Sequence, residues 1–230
     1  MRGTSVDEGR AALILEGTDH GGRESGPVPR LTEARKPASP SSQRQVARWH
    51  RILAVAAELG ARTAYEQVQM QEIADAADVS LTTLYRYFPS KVQLFTAVYA
   101  ARVERFVEEE WPQKNGDAVE IVGERLVALT GRLMAQPLLC RSMVQAASAD
   151  YADPSRPETP VAESCLYQAI LCTFGDDDPG EERITAVRML VYSWWGVLFS
   201  HLSGRTSAAE ARYQVLSAAR LLLGRDTRHG

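Results

Sequence analysis

The sequence predicts an all-α protein: an N-terminal three-helix helix-turn-helix unit in front of a larger helical domain, with about nine helices together. Three observations carry this expectation. Apolar residues recur at helical spacing from residue 43 onward. Ser or Asp starts alternate along the chain with Gly or Pro stops. No segment shows apolar/polar alternation bounded by hairpin turns.

Residues 1–42 are rich in Gly, Pro and Ser (Gly21-Gly22, Gly26-Pro27, Pro37-Ala38-Ser39-Pro40) and weak in apolar periodicity. They read as a tail that buries too little surface to offset its ordering entropy. A first helix then follows from Val46, Trp49, Ile52, Leu53, Ala56 and Leu59, with Gly60 as its expected stop. Residues 70–77 form a short second helix anchored by Ile73. The third runs from Leu81 to Phe88, started by Ser80 and ended by Pro89, because the residue before a proline avoids helical geometry. Ser90-x-x-Gln93 is read as a reciprocal capping box that opens a fourth helix to about Trp111. Asp117-x-x-Glu120 starts the next, and Pro137 occupies the first turn of the one after it. Thr159-Pro160 is expected to open a helix ending near Gly175, and Pro179-Gly180-Glu181 a long one to about Leu202. Ser207-Ala208-Ala209-Glu210 starts the last, closed by Gly224. The domain boundaries drawn from this reading are 1–42, 43–92 and 93–230.

Composition narrows the class. With 45% hydrophobic and 24% charged residues over 230 positions, the chain can bury a core without covalent staples. Cys140, Cys165 and Cys172 form no CxxC pair and read as free thiols of a reducing cytoplasm. His20, His50, His201 and His229 are scattered, so no metal-ligand spacing appears and no metal or cofactor is expected. The uncharged stretch 189–204 contains serines and a histidine and falls short of the ~20 apolar residues of a membrane span. No nucleophile elbow, phosphate loop or dinucleotide fingerprint is present, so no enzyme is expected.

The informative stretch is Ile73-Ala74-Asp75-Ala76-Ala77-Asp78-Val79-Ser80-Leu81-Thr82-Thr83-Leu84-Tyr85. Ile73, Val79 and Leu84 join two short helices across a tight turn. Ala74 is small where they cross, and Asp78 tolerates the left-handed conformation such a turn needs. The second helix of the pair then leaves a face free for a major groove. Leu81, Thr82, Thr83, Arg86 and Tyr87 project from it with groups suited to base edges and thymine methyls. Lys91, in the first turn of the next helix, opposes the helix dipole and is expected to meet a phosphate there. Arg44, Arg48 and Arg51 share one face of the first helix. A formal net charge of −3 does not oppose this, since residues 43–95 carry six Lys/Arg against five Asp/Glu.

Val79-Ser80-Leu81-Thr82-Thr83-Leu84-Tyr85-Arg86-Tyr87-Phe88-Pro89-Ser90-Lys91, preceded by Ile73-Ala74-x-x-Ala77, resembles the hallmark of the TetR family of regulators. The resemblance implies binding to double-stranded DNA as a homodimer, with Ser80, Thr82, Thr83, Tyr85, Tyr87 and Lys91 at DNA-contacting positions. Gln69, where Ser or Thr often caps the second helix, and Asp78, where glycine is frequent, depart from it. A looser resemblance, through Tyr65-Glu66-Gln67-Val68-Gln69-Met70, Gln136-Pro137-Leu138-Leu139 and Ala219-Arg220-Leu221-Leu222-Leu223-Gly224, is to actinobacterial repressors of cholesterol catabolism. It implies a steroid-derived coenzyme A thioester as effector.

The last two long helices are expected to pair antiparallel and double into a four-helix interface. Ile184, Val191, Leu198, Leu202, Val215, Ala219 and Leu222 form that expected interface, while Met189, Tyr192, Gly196 and Phe199 line a second stripe. Phe106, Met134, Met143, Tyr167, Phe174, Trp195 and Phe199 are the large side chains expected around a pocket for a small apolar effector. The function expected is a repressor released by that effector. Fatty acyl thioesters, lipophilic drugs and ligand-independent DNA binding stay open beside the steroid thioester.

Overall fold

Helix starts fall where the capping side chains stand. The computed structural model describes residues 40–111, 116–154, 164–175 and 179–224. Among these are nine helices: α1 (Gln43–Arg62), α2 (Met70–Ala76), α3 (Leu81–Tyr87), α4 (Lys91–Glu110), α5 (Ala118–Met134), α6 (Pro137–Tyr151), α7 (Cys165–Thr173), α8 (Glu181–Leu202) and α9 (Ala208–Leu223). The described residues contain no strand. The expected tail, apart from residues 40–42, lies outside them, as does Thr159-Pro160.

Ser80, Ser90, Asp117, Ser164 and Ser207 each accept a hydrogen bond from the backbone N–H three residues on. Each satisfies a donor that the helix cannot satisfy itself. The Ser207 box is reciprocal, because Glu210 accepts from the Ser207 N–H at 2.8 Å. The Ser90 box is only half formed: Gln93 N–H donates to Ser90 Oγ, but Gln93 Oε1 is buried without a partner and makes no return bond. The seventh helix opens at Ser164, a position the sequence reading passed over in favour of the preceding proline.

Gly60 is not a stop. Helix α1 continues through it to Arg62, and the glycine sits where α1 crosses two neighbours. A Cβ built there would lie 2.6 Å from Phe95 of α4 and 3.1 Å from Leu139 of α6. The missing side chain is what lets three helices meet. Gly60→Ala gains helix propensity of about 1 kcal/mol. It must also push apart a ring and a leucine, and overpacking of this kind costs about 1–3 kcal/mol. A net loss of about 1 kcal/mol in urea unfolding is the expected result.

Helix α4 is the spine. It packs on α1, α6 and α7, while α8 and α9 pack on each other and on α5. The core runs continuously from Ile52, Ile73 and Leu84 in the N-terminal helices through Leu94, Phe95 and Phe106 to Leu126, Leu190 and Trp194. The Trp194 indole is fully buried, and its N–H reaches Leu126 O at 3.2 Å and Thr130 Oγ1 at 2.9 Å.

The pairing of α8 with α9 is as expected, but the faces are assigned differently. Leu198, Val215 and Ala219 are buried inside the protomer, and so is Val191. Ile184, Leu202 and Leu222 are half-buried and packed on the same core. All seven residues expected at an interface between copies thus serve the protomer's own packing. The reason is the other helices of the protomer: α5 packs on α9, and α6 and α7 pack on α8. Gly123 of α5 lets that helix approach closely, with a built Cβ only 3.0 Å from Leu216 and 3.4 Å from Ala219. The stripe left outside is the other one. Met189 and Phe199 on α8 are 48% and 54% exposed, and Tyr192 is exposed between them; Tyr213 and Leu221 protrude from α9. None of the described helices is long and apolar enough to cross a membrane.

Candidate nucleic-acid interface

Helices α2 and α3 are each seven residues long, too short to hold together alone. Their geometry is imposed by the turn and by burial. Asp78 adopts φ 51°, the left-handed conformation expected of it. The chain reverses there, and the Val79 N–H closes on Ala74 O at 3.0 Å. Ile73, Ala74, Ala77 and Leu84 are fully buried across the crossing. Arg51 of α1, itself exposed, donates from Nε to Ala77 O at 2.8 Å. It satisfies a carbonyl at the end of α2 that the helix leaves open. That ties Arg51 of the expected arginine face to α2 through Nε; Arg44 is exposed and Arg48 half-exposed.

Helix α3 presents Thr82, Tyr85 and Arg86 outward, with Leu81 and Thr83 half-exposed. Ser80 Oγ caps the helix through the Thr83 N–H at 3.1 Å and also shares a hydrogen bond with Thr83 Oγ1 at 2.8 Å. The Thr83 hydroxyl therefore has an internal partner, whereas Thr82 stands clear on the surface.

Two expected contacts need correction. Tyr87 is 3% exposed, so its ring belongs to the core; Arg86 lies over it, with the guanidinium carbon 5.2 Å from the ring centroid. Tyr87 acts as a platform for Arg86. Lys91 does not present its ammonium to the surface. Its Nζ donates to Tyr65 O at 2.7 Å, Val68 O at 3.1 Å and Glu66 O at 3.3 Å, and sits 4.6 Å from the Tyr65 ring centroid. An ammonium has three hydrogens, and three carbonyls take them. The unfavourable position of a cation at a helix N-terminus is compensated by these carbonyls of the α1–α2 connection. Composition and spacing hold no signal of that, because the three acceptors are backbone atoms about 25 residues away.

The residues expected around a pocket separate into three environments. Phe106, Met143 and Tyr167 are buried at 2%, 1% and 1% exposure, and the Tyr167 hydroxyl donates to Ile184 O. Met134, Phe174 and Trp195 are half-buried against the core. Phe199 faces outward and does not join them. Tyr99, which the sequence reading passed over, meets Trp195 in a tilted pair with ring centroids 5.3 Å apart. Burial drives its hydroxyl far above the ordinary phenol value. Burial likewise raises the Cys140 thiol to about 11, so it carries no thiolate at neutral pH. Helical spacing does mark Tyr99, which lies four residues after Phe95 and four before Val103 on the apolar stripe of α4. Among the described residues, no group of three or more His, Cys, Asp or Glu is placed to hold a metal.

The family model for the N-terminal domain of bacterial regulatory proteins of the tetR family matches residues 52–98. The tetracyclin repressor-like C-terminal domain model matches residues 116–222. The HTH-type transcriptional repressor KstR of Rhodococcus jostii (strain RHA1) is 31% identical over 189 residues, covering 82% of this chain and 88% of the relative. The chain belongs to the TetR family. KstR of Mycobacterium tuberculosis is 30% identical over 188 residues, covering 80% of this chain and 84% of that protein. A crystal structure of a TetR transcriptional regulator from Rhodococcus sp. RHA1 superposes with a TM-score of 0.72 at 36% identity, over 81% of this chain and all of that one. Membership in the TetR family fits the geometry of α2, the Asp78 turn and α3, which is that of a helix-turn-helix with its second helix open to solvent.

Proposed function

We propose that the chain is a transcriptional repressor that binds a near-palindromic operator as a homodimer and is released by a small apolar effector, a steroid-derived coenzyme A thioester being favoured. The observation that carries the DNA-binding part is α3: held from behind by Leu84 and Tyr87, it offers Thr82, Tyr85 and Arg86 to solvent on one side. Arg44 and Arg48 supply positive charge from α1, and the N–H groups at the start of α4 that the Ser90 cap leaves open supply a phosphate site without Lys91. In this reading residues 43–92 read DNA, and residues 93–230 dimerise and bind effector. Dimerisation falls to the outer stripe of Met189, Tyr192 and Phe199 with Tyr213 and Leu221. Its twofold copy is the occupant that the family architecture supplies. The KstR relatives and the Gln136-Pro137-Leu138-Leu139 segment support the steroid thioester. The half-buried Tyr99, Trp195, Met134 and Phe174 are the residues on which it would first bear.

The test begins with duplexes enriched from random DNA by the purified protein and titrated at two salt concentrations. Thr82→Ala is expected to lose about tenfold of discrimination at one base position while other positions keep theirs. Lys91→Met should leave the salt slope unchanged, because a lost phosphate contact would flatten it by about 0.9. Equal losses for every duplex with Thr82→Ala would refute base reading by α3. Adding steroid and fatty acyl thioesters to the complexes then tests release, and dissociation by the acyl chains alone would favour the second effector class.

A further inference from the structure

Residue 66 sits in the short connection between α1 and α2, four residues ahead of the helix-turn-helix. It is gripped from two sides. Its carbonyl, with those of Tyr65 and Val68, accepts from Lys91 at the start of α4. Its carboxylate accepts from Gln145 Nε2 of α6 at 3.0 Å. The Gln145 amide holds the Glu66 carboxyl below its ordinary range, followed by Glu66's own backbone N–H, while the positive charges of Lys91 and of Arg141 on α6 add smaller effects. The same neighbourhood holds the α1–α4–α6 crossing at Gly60, and the Tyr65 ring meets Phe95 of α4 edge-on at 5.5 Å.

The inner face of α6 is core: Leu139, Cys140, Met143, Val144 and Ala146 are buried. Gln145 and Arg141 stand on its exposed side. A shift of α6 begun from within the C-terminal domain therefore reaches Glu66 directly, without first passing along α4. The connection it reaches leads straight into α2, where the Glu72 carboxylate accepts from the Gln69 N–H. Beyond α2, its crossing with α3 is buried at Ile73, Ala74, Ala77 and Leu84.

We propose that Glu66 is a positioning residue through which α6, by way of Gln145, sets the orientation of the helix-turn-helix. This rests on the DNA-reading function proposed above. A bond at the protein surface contributes little to global stability. Its effect is on which orientation of α3 the dimer favours, and so on the separation of half-sites it accepts.

The experiment uses the full chain and the duplex that the wild-type protein enriches from random DNA. Versions with the centre one base pair longer or shorter, and a single half-site, complete the set. Gln145→Ala and Glu66→Ala are each expected to reduce discrimination among the three spacings about three- to tenfold. The double variant should do no more than either alone. Glu66→Gln, which keeps a carbonyl oxygen as acceptor for the Gln145 amide, should retain wild-type discrimination. Single half-site affinity and thermal midpoint should stay at wild-type values in all four. A merely structural contact would instead weaken all spacings alike and lower the midpoint, and that result overturns the proposal. So does undiminished discrimination in Gln145→Ala. If the wild-type protein enriches no duplex at all, the DNA-reading function fails first and this role fails with it.

Discussion

Phe199→Asp is expected to convert the protein from dimer to monomer at micromolar concentration and to abolish tight operator binding. Phe199 is 54% exposed on α8, in line with Met189 and Tyr192 and beside the protruding Tyr213 and Leu221 of α9. A carboxylate placed at such a face must lose water when a second copy docks, which costs several kcal/mol per charge. Twofold symmetry puts two copies of the substitution into one interface. Even ~4 kcal/mol in total lowers association about a thousandfold. Sedimentation equilibrium measures the first effect, and titration of the enriched duplex the second. Leu198→Ala separates the two stripes: its side chain is fully buried in the protomer, so it should lower stability by about 2–5 kcal/mol while leaving the folded protein dimeric. If Phe199→Asp stays dimeric at nanomolar concentration, this face is not where the copies meet.

Trp194→Ala should be the most damaging single change within one protomer, costing about 3–5 kcal/mol in chemical unfolding. The side chain is among the largest with no exposed surface, and it meets Trp195 edge-on at 6.2 Å. Its removal leaves a void between α8 and α5 and strips one hydrogen-bond donor from Leu126 O and Thr130 Oγ1. The Thr130 hydroxyl still donates to Leu126 O at 2.8 Å, so neither carbonyl nor hydroxyl is left wholly unpaired. Trp194→Phe keeps most of the apolar volume and should cost less than half as much. Equal losses for the two variants would show that the indole N–H, and not the packed volume, supplies the stabilisation.

The helices were legible because their ends are written in local chemistry. Ser80, Ser90, Asp117, Pro137 and Ser207 each mark a start within a few residues, and the Asp78 turn follows from what side chains tolerate left-handed backbone. What spacing left open was which neighbour a face meets. Helix α8 is apolar nearly all round, so periodicity offered two stripes and no means to rank them. The choice is made by the helices that pack on the pair, α6 and α7 against α8 and α5 against α9, the last brought close by Gly123. Gly60 misled for a related reason: the residue that ends helices most often is also the one that lets helices cross. Lys91, Arg51 and Gln145 were beyond reach because their partners are backbone or side-chain oxygens some 25 to 79 residues away.

The brevity of α3 has an evolutionary meaning. Its seven residues include anchors facing the core, Leu84 and Tyr87, and the exposed outward positions Thr82 and Tyr85. Substitution on the outer side leaves the scaffold's stability nearly unchanged. A lineage can therefore acquire new target sites by drift at a few surface letters, while the packed remainder of the molecule stays as it is.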